Sequence, residues 1–314
     1  MKMTYADAAK LALAEAMRAD PTVWAVGEDL GRGGVFQQYR GLREEFGPDR
    51  ISDAPISEAA IMGAAFGAAM VGTRPVVEMR FADFALCATD ELVNQIAKAR
   101  FMFGGQSRAP MVIRKPMGMW RSSAAQHSQS LESWYVHIPG LVVCCPATPQ
   151  DNYSMLKAAI ACDDPVVYLE HKDIWALEGE VDTSRGYEFG TAVTRQKGDG
   201  LTLISWSNTC NIAHEAVLGA DIEVIDLRSL WPWDKETVIN SVRRTGRLLI
   251  AHESVQVGGF GAEVAATVAE NVACKVRRLG APRSLIAYAP NLENQLRITG
   301  DKIADAAREM MAEV

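Results

Sequence analysis

The sequence lacks the patterns that mark metal-binding fingers, secreted domains and membrane proteins. Its six cysteines include no Cys-x-x-Cys pair, which disfavours both a zinc ribbon and a secreted disulfide framework. The most apolar stretch, residues 59–72, is too short to cross a hydrocarbon core of about 30 Å, and the first residues contain no signal-peptide core. We therefore expect a cytoplasmic or organellar-matrix protein without a membrane partner.

Positive charge is also scarce. The chain carries 32 Lys and Arg against 39 Asp and Glu, a formal net charge of −7. A nucleic-acid partner would need a concentrated basic face to neutralise phosphates, and the sequence contains none. The five histidines include no i, i+4 pair around a glutamate, so a metalloprotease-type zinc site is not expected either.

The sequence does contain strand-length apolar runs that alternate with helix-period segments. Because these runs are continuously apolar, they are typical of parallel strands covered on both faces by helices. The composition changes between residues 172 and 200, where charged residues and glycine replace the apolar runs. The 314 residues are enough for two domains. The pattern predicts an α/β fold with one domain at 1–189 and a second at 190–314.

Capping residues predict where several helices begin. Thr4 is predicted to cap a helix running to residue 18, and Ser57 to cap one running to residue 71. A continuous helix is predicted over 90–103. Strands are predicted at 23–26, 75–79, 111–114, 141–145, 166–169, 201–206, 222–225 and 248–251.

Two glycine-containing motifs resemble nucleotide or cofactor signatures without completing them. The run from Gly259 to Val264 opens a predicted helix, but Val264 replaces the small residue that a dinucleotide fingerprint needs for helix–strand packing. Gly198-Asp199-Gly200 resembles the start of the magnesium-binding segment of thiamine diphosphate enzymes, yet no asparagine follows at the required spacing. Both motifs are predicted to be turns.

Two polar residues stand out as candidate catalytic groups. His127 lies in a loop of small polar residues after a predicted strand, where ligands usually meet an α/β sheet. An imidazole there can accept or release a proton near neutral pH. Glu58 lies in the first turn of a predicted helix, and spacing leaves two interpretations open. It either stabilises the positive end of the helix dipole or, partly buried, shares a proton with a ligand nitrogen.

A series of motifs along the chain carries a family resemblance. They are Gly27-Glu28-Asp29, Gly33-Gly34-Val35-Phe36, Asp53-Ala54-Pro55-Ile56-Ser57-Glu58, Phe81-Ala82-Asp83-Phe84, Asn94-Gln95-Ile96-Ala97-Lys98, Gln126-His127-Ser128-Gln129-Ser130 and Glu223-Val224-Ile225-Asp226-Leu227-Arg228. In this order they resemble the beta subunits of thiamine diphosphate-dependent 2-oxo acid dehydrogenases, which include the pyruvate, branched-chain and acetoin dehydrogenases. The resemblance implies a parallel-sheet pyrimidine-binding domain followed by a transketolase C-terminal-like α/β domain.

The same resemblance implies a partner and assigns roles to individual residues. An alpha-type subunit is expected to bind the diphosphate and Mg²⁺ in an α2β2 heterotetramer, so this chain alone should be inactive. Glu58 matches the glutamate that hydrogen-bonds the pyrimidine ring, Phe84 the aromatic residue packed on that ring, and His127 a histidine that faces the substrate. Glu28 matches an acid near the proton path between subunits. A structural potassium ion is expected to bind the backbone carbonyl oxygens of Ala159, Ile160, Cys162 and Asp164.

Two features depart from the family pattern. Bulky Trp120 and charged Arg121 stand in the segment 117–123, where the family usually has glycines, and are expected to reshape the substrate or acceptor channel. Arg80 is predicted to be a cofactor-binding residue together with Glu58 and Phe84, at a position where the family more often has an uncharged residue. A cation there is expected to stabilise the charged form of Glu58.

Three functions follow from this reasoning. The first is the beta half of a 2-oxo acid or acetoin dehydrogenase that passes a two-carbon unit to a lipoyl carrier. The second is a transketolase-like ketol- or acyl-transferring subunit that delivers its product to an acyl carrier protein, which the altered segment at 117–123 would suit. The third, a catalytically silent scaffold, is disfavoured because Glu58, Phe84 and His127 are all present.

Overall fold

A computed structural model describes residues 1–312 of the chain. These residues form two compact units. The first comprises residues 1–117 and 134–188, and the second comprises 118–133 and 189–314. The second unit is therefore discontinuous in sequence, because a short segment from the first half of the chain packs with the C-terminal half. The sequence predicted one boundary after residue 189 and did not predict that residues 118–133 pack with the C-terminal half.

The first unit is built on a parallel sheet. Its strands are β1 (Lys2–Thr4), β2 (Val23–Gly27), β3 (Ile51–Asp53), β4 (Arg74–Glu78), β5 (Val112–Met117), β6 (Val142–Cys144), β7 (Val166–His171) and β8 (Glu178–Glu180). In the sheet they follow the order β6–β7–β5–β4–β2–β3 and all neighbours are parallel. Every residue of β5 and β7 is buried. The predicted parallel α/β architecture is confirmed, while the small antiparallel pair β1–β8 was not predicted.

The helices that begin in the first half of the chain flank this sheet or connect its strands. They are α1 (Tyr5–Ala19), α2 (Leu42–Phe46), α3 (Glu58–Met70), α4 (Ala99–Met102), α5 (Glu132–Val136) and α6 (Pro149–Ala161). The Thr4 hydroxyl caps α1 as predicted by accepting a hydrogen bond from the Asp7 N–H at 3.1 Å. The predicted Ser57 cap is wrong, because its hydroxyl donates to the Pro55 carbonyl at 2.9 Å and leaves the α3 N–H groups uncapped.

The predicted continuous helix over 90–103 is also wrong. The chain instead forms a 3₁₀ turn at Phe84–Ala88, a π-helical segment at Glu91–Ile96 and the single turn α4. The spacing of apolar residues in the sequence does not distinguish 3₁₀- and π-helical segments from an α-helix, since the apolar residues still fall on one face.

The second unit contains its own sheet. The strands of this sheet are β9 (Val193–Gln196), β10 (Leu201–Ser205), β11 (Ile222–Asp226), β13 (Arg247–Val255) and β14 (Lys275–Ala281), and the short strand β12 (Ser229–Trp231) lies outside it. The helices of the unit are α7 (Ser207–Ala216), α8 (Lys235–Thr245), α9 (Phe260–Ala269), α10 (Pro290–Leu296) and α11 (Gly300–Ala312). The sheet order is β14–β13–β10–β11–β9, with only β9 antiparallel. β14 and α10 were not predicted, because β14 is charged and half-exposed and α10 is short and polar.

Gly198-Asp199-Gly200 and Gly259 lie outside the helices and strands, and residues 260–264 of the second motif form the start of α9. Gly259 is the residue that precedes α9. Gly198 lies so close to the start of β11 that a Cβ there would come within 2.3 Å of the Ile222 nitrogen. Both glycines therefore serve backbone packing. Within residues 1–312, none of the helices combines the length and apolar character needed to cross a bilayer.

Candidate active site

Glu58 occupies the start of a helix in the first unit. It is the first residue of α3, which follows β3 after a short loop. Its side chain is half-buried, and its carboxylate has no hydrogen bond or ion pair among residues 1–312. The positive end of α3 stabilises the negative charge without consuming the hydrogen-bonding capacity of the oxygens. The carboxylate is therefore available to a ligand.

Phe84 lies in an aromatic cluster of the same unit. It begins the 3₁₀ turn that follows β4, and this turn packs against α3. The Phe84 ring meets Phe81 edge to face at 5.2 Å between centroids, and Phe81 in turn meets Phe36 at 6.1 Å. The Lys172 ammonium lies 4.8 Å from the Phe81 centroid. These contacts hold the half-buried Phe84 ring in a defined orientation at the end of a parallel strand, where α/β sheets bind ligands.

Arg80 forms ion pairs with the acids that follow β2. One guanidinium nitrogen, Nη1, lies 3.3 Å from Glu28 Oε2 and 3.2 Å from Asp29 Oδ2. The Glu28 side chain is buried, with 6% of its surface exposed, so the ion pair offsets the desolvation of its charge. The sequence predicted an effect of Arg80 on Glu58. Among the described residues, the ion pairs of Arg80 go to Glu28 and Asp29 instead.

A buried charge cluster beneath this edge of the sheet was not singled out from the sequence. Arg114 donates two hydrogen bonds of 2.8 Å to the Glu170 carboxylate, and its Nε lies 3.9 Å from Glu78 Oε2. The Tyr39 hydroxyl donates to the same Glu78 oxygen at 3.0 Å. Burial raises the pKa of Glu78 to about 7 against the opposing attraction of Arg114. The sequence feature that could have indicated this cluster is a glutamate at or next to the end of each of two largely apolar strands, Glu78 in β4 and Glu170 in β7.

His127 belongs to the second unit, within the segment 118–133. The predicted loop following β5 is present, and the half-buried imidazole lies near its centre. Arg121, Ser122 and Ala124 have φ values of 44°, 57° and 61°, in the left-handed region that favours glycine. The segment thus keeps a glycine-type backbone course with other residue types. The Arg121 guanidinium lies 5.2 Å from the Trp120 ring centroid, a cation–π contact on the surface of this segment.

A cavity of about 110 Å³ lies within the second unit beside the same segment. Its lining is largely apolar, and its polar side chains include Ser128, Ser130 and Glu253. The Ser128 hydroxyl is buried and has no hydrogen-bond partner within the described part of the chain. Glu253, near the end of β13, was not singled out from the sequence, although a polar run after an apolar strand marked its position.

The four predicted potassium-ligand carbonyls lie at the end of α6 and in the loop before β7. Two of them already accept hydrogen bonds from a cation, because Arg74 Nη1 donates to the Ile160 oxygen at 3.1 Å and to the Cys162 oxygen at 3.0 Å. The Ala159 oxygen accepts the Cys162 N–H at 3.2 Å. Each carbonyl oxygen has a second lone pair, so the potassium site stays a prediction. No group of three or more His, Cys, Asp or Glu residues in 1–312 is arranged to hold a metal ion.

Comparisons with known proteins match the whole length of the chain. Residues 1–176 match the transketolase pyrimidine-binding domain and residues 190–303 the transketolase C-terminal domain. The 2-oxoisovalerate dehydrogenase subunit beta of Bacillus subtilis is 37% identical and covers 98% of both chains. The acetoin:2,6-dichlorophenolindophenol oxidoreductase subunit beta of Cupriavidus necator is 37% identical and covers 96% of both.

A solved structure gives the same fold. The inactive beta4 tetramer of a split-gene transketolase aligns with a TM-score of 0.84 over 98% of each chain, at 21% sequence identity. At that identity the likeness concerns the fold alone, whereas the curated relatives are similar enough in sequence to define the family. Together with the two domain matches, they show that this chain belongs to the transketolase-like beta subunits of the 2-oxo acid and acetoin dehydrogenases.

Proposed function

We propose that this chain forms the pyrimidine-binding half of a thiamine diphosphate site and acts with an alpha-type subunit on a 2-oxo acid or acetoin. The observation that carries this proposal is the half-buried Glu58 carboxylate, which has no partner within residues 1–312 and lies at the start of α3. A carboxylate that is desolvated in part and lacks a hydrogen-bond donor is suited to share a proton with a ring nitrogen. Thiamine diphosphate, when bound, supplies the carbanion chemistry that breaks the bond next to the carbonyl carbon.

The residues of this chain bind the cofactor and move protons. Glu58 would hold a proton on the pyrimidine nitrogen, and the Phe84 ring would cover the pyrimidine face with apolar area. Glu28 lies 3.3 Å from the Arg80 guanidinium. As an acid near the proton path, Glu28 would pass protons between water and the site. His127 would orient the substrate oxygen and donate or accept its proton.

The proposal extends to the assembly and the acceptor. The alpha-type partner would supply the diphosphate and Mg²⁺ ligands in an α2β2 heterotetramer, and a lipoyl carrier would accept the two-carbon unit in the cytoplasm. The beta-subunit names of the relatives support the need for a partner chain.

The test is a reconstitution of the full chain with an alpha-type subunit. Glu58→Gln should lower kcat by about 10²–10⁴-fold, the usual contribution of a positioned acid or base. It should also weaken thiamine diphosphate binding by the assembly, measured by calorimetry. Glu44→Gln, an exposed carboxylate on α2, is the matched control and should change neither. Full activity of Glu58→Gln would refute the assignment, and turnover by this chain alone would refute the shared site.

A second candidate function is favoured by Trp120 and Arg121. The exposed Arg121 guanidinium, 5.2 Å from the Trp120 ring centroid, has no ion pair among the described residues. It would suit an anionic acceptor such as the phosphopantetheine arm of an acyl carrier protein. Trp120→Gly should then lower kcat/KM for an acyl carrier acceptor and leave that for a lipoyl acceptor unchanged. If Trp120→Gly and the wild-type protein have the same kcat/KM for the acyl carrier acceptor, this candidate is refuted.

A further inference from the structure

The segment that carries His127 is held at both ends by one carboxylate. Glu253 Oε1 accepts the Met119 N–H at 2.7 Å and the Ser130 hydroxyl at 3.0 Å. Both partners lie in 118–133, and Glu253 lies in β13 of the same unit. Hydrogen bonds to an ionised acceptor are about twice as strong as neutral ones. A single charged oxygen therefore closes the base of the loop from Met119 to Ser130.

A second side chain fixes the same residue from the other direction. Arg297 Nη2 donates to the Met119 carbonyl at 2.9 Å, and it is itself oriented by the buried Glu293, whose Oε1 it contacts at 2.8 Å. Both peptide groups of Met119 are thus bound to charged side chains from β13 and from the end of α10. Within the loop, the Ser123 N–H donates to the Trp120 carbonyl at 3.0 Å, a contact between neighbours in sequence.

The loop cannot hold this course by its own preferences. Its left-handed residues Arg121, Ser122 and Ala124 each cost about 1–2 kcal/mol relative to ordinary backbone conformations. Conformations of that kind persist only where the surroundings determine them. His127 lies between the two anchored positions, three residues before Ser130, so a shift of either anchor would move it.

We propose that Glu253 is the positioning residue for His127, and that Arg297 supports it through Met119. This inference rests on the proposed function, because it requires that His127 acts on the substrate. Misplacing a catalytic group by about 1 Å can cost about 10²-fold in rate. Loss of the Glu253 carboxylate should therefore reduce turnover even though Glu253 itself has no role in the chemistry.

The test is a double-mutant cycle in the reconstituted assembly. Glu253→Ala should lower kcat by at least about 10-fold in the wild-type background and by less than about 2-fold when His127 is already alanine. Glu253→Gln should recover most of the activity, because the amide oxygen can accept both hydrogen bonds. Glu236→Gln, an exposed carboxylate on α8 of the same unit, is the matched control.

A direct measurement of the loop accompanies the kinetics. Glu253→Ala should speed trypsin cleavage after the exposed Arg121 in the full chain by at least about 10-fold, with cleavage elsewhere and the unfolding midpoint unchanged. The positioning role would be overturned if Glu253→Ala lowered kcat equally in the wild-type and His127→Ala backgrounds. Unchanged trypsin cleavage after Arg121 would overturn it as well. If His127→Ala alone retains full activity, the proposed role of His127 fails, and that outcome is separate from the response of the loop.

Discussion

The buried cluster of Glu78, Arg114 and Glu170 should make the first unit lose stability as pH rises from about 5 to about 7. Glu78 lies at 3% exposure, and its Oε1 has no hydrogen-bond partner among residues 1–312. Arg114 is already bound by the bidentate Glu170. The Glu78 carboxylate therefore regains only part of the hydration free energy that it loses on burial. Burial accordingly raises the pKa of Glu78 from 4.5 to about 7.

The sign and size of the effect follow from proton linkage. An acid whose pKa is raised in the folded protein contributes stability that is fully present below its unfolded pKa and is lost as pH rises through the folded value. A rise from 4.5 to about 7 corresponds to about 3 kcal/mol, of which about 2–3 kcal/mol falls between pH 5 and pH 8. Glu78→Gln cannot ionise, so it should remove this loss while its amide oxygen still accepts from Tyr39.

The assay is urea unfolding of the wild-type chain and Glu78→Gln at several pH values from 5 to 8. The free energy of unfolding of the variant, relative to wild type, should increase by about 2–3 kcal/mol across that range. Other titrating groups are common to both proteins and cancel in the difference. Glu170→Gln is the contrasting variant, because it weakens the Arg114 pair and should destabilise the chain by about 3–5 kcal/mol. Parallel curves for wild type and Glu78→Gln would refute the reasoning.

Three further predictions concern packing and ions. Lys115 is fully buried, its Nζ lies 3.8 Å from the Tyr135 ring centroid without a hydrogen-bond partner among residues 1–312, and burial lowers its pKa. Lys115→Met should therefore raise the free energy of unfolding at pH 7 by about 1–3 kcal/mol, less near pH 10, with exposed Lys235→Met as the control. A Cβ on Gly280 would lie 2.7 Å from His252 Cε1 and 2.8 Å from Gln256 Cα, so Gly280→Ala should cost about 1–3 kcal/mol in unfolding free energy while Gly300→Ala does not. The potassium prediction requires a higher melting temperature in KCl than in choline chloride; equal melting temperatures would exclude it.

The strands of the parallel sheet were predictable because burial on both faces leaves continuous apolar runs. β5 and β7 are buried at every residue, including Arg114, Lys115 and Glu170, which a hydropathy pattern alone would have excluded. The helix over 90–103 failed for a different reason. Its apolar spacing is compatible with 3₁₀ and π windings, and tertiary packing selects among them. Edge strands such as β14 escaped prediction because only one of their sides is paired, which tolerates charge.

The candidate site was predictable as a set of residues and not as a set of contacts. Glu58 and His127 stood out because polar residues at the ends of strands and starts of helices carry ligands in α/β folds. The partners of Arg80 were not predictable, since its ion pairs join residues fifty positions apart whose proximity only strand order establishes. The same is true of Glu253, which reaches a segment more than one hundred residues earlier in the chain.

The segment 118–133 holds non-glycine residues in a backbone conformation that favours glycine. Arg121, Ser122 and Ala124 have φ values between 44° and 61°, a conformation that each would leave in isolation. Glu253 and Arg297 bind the peptide groups of Met119 and so supply the interactions that keep the chain there. Because these anchors contact the backbone of Met119, they do not depend on which side chains follow it. The exposed surface of the loop is therefore free to vary in charge and bulk, while the position of His127 remains fixed by residues outside the loop.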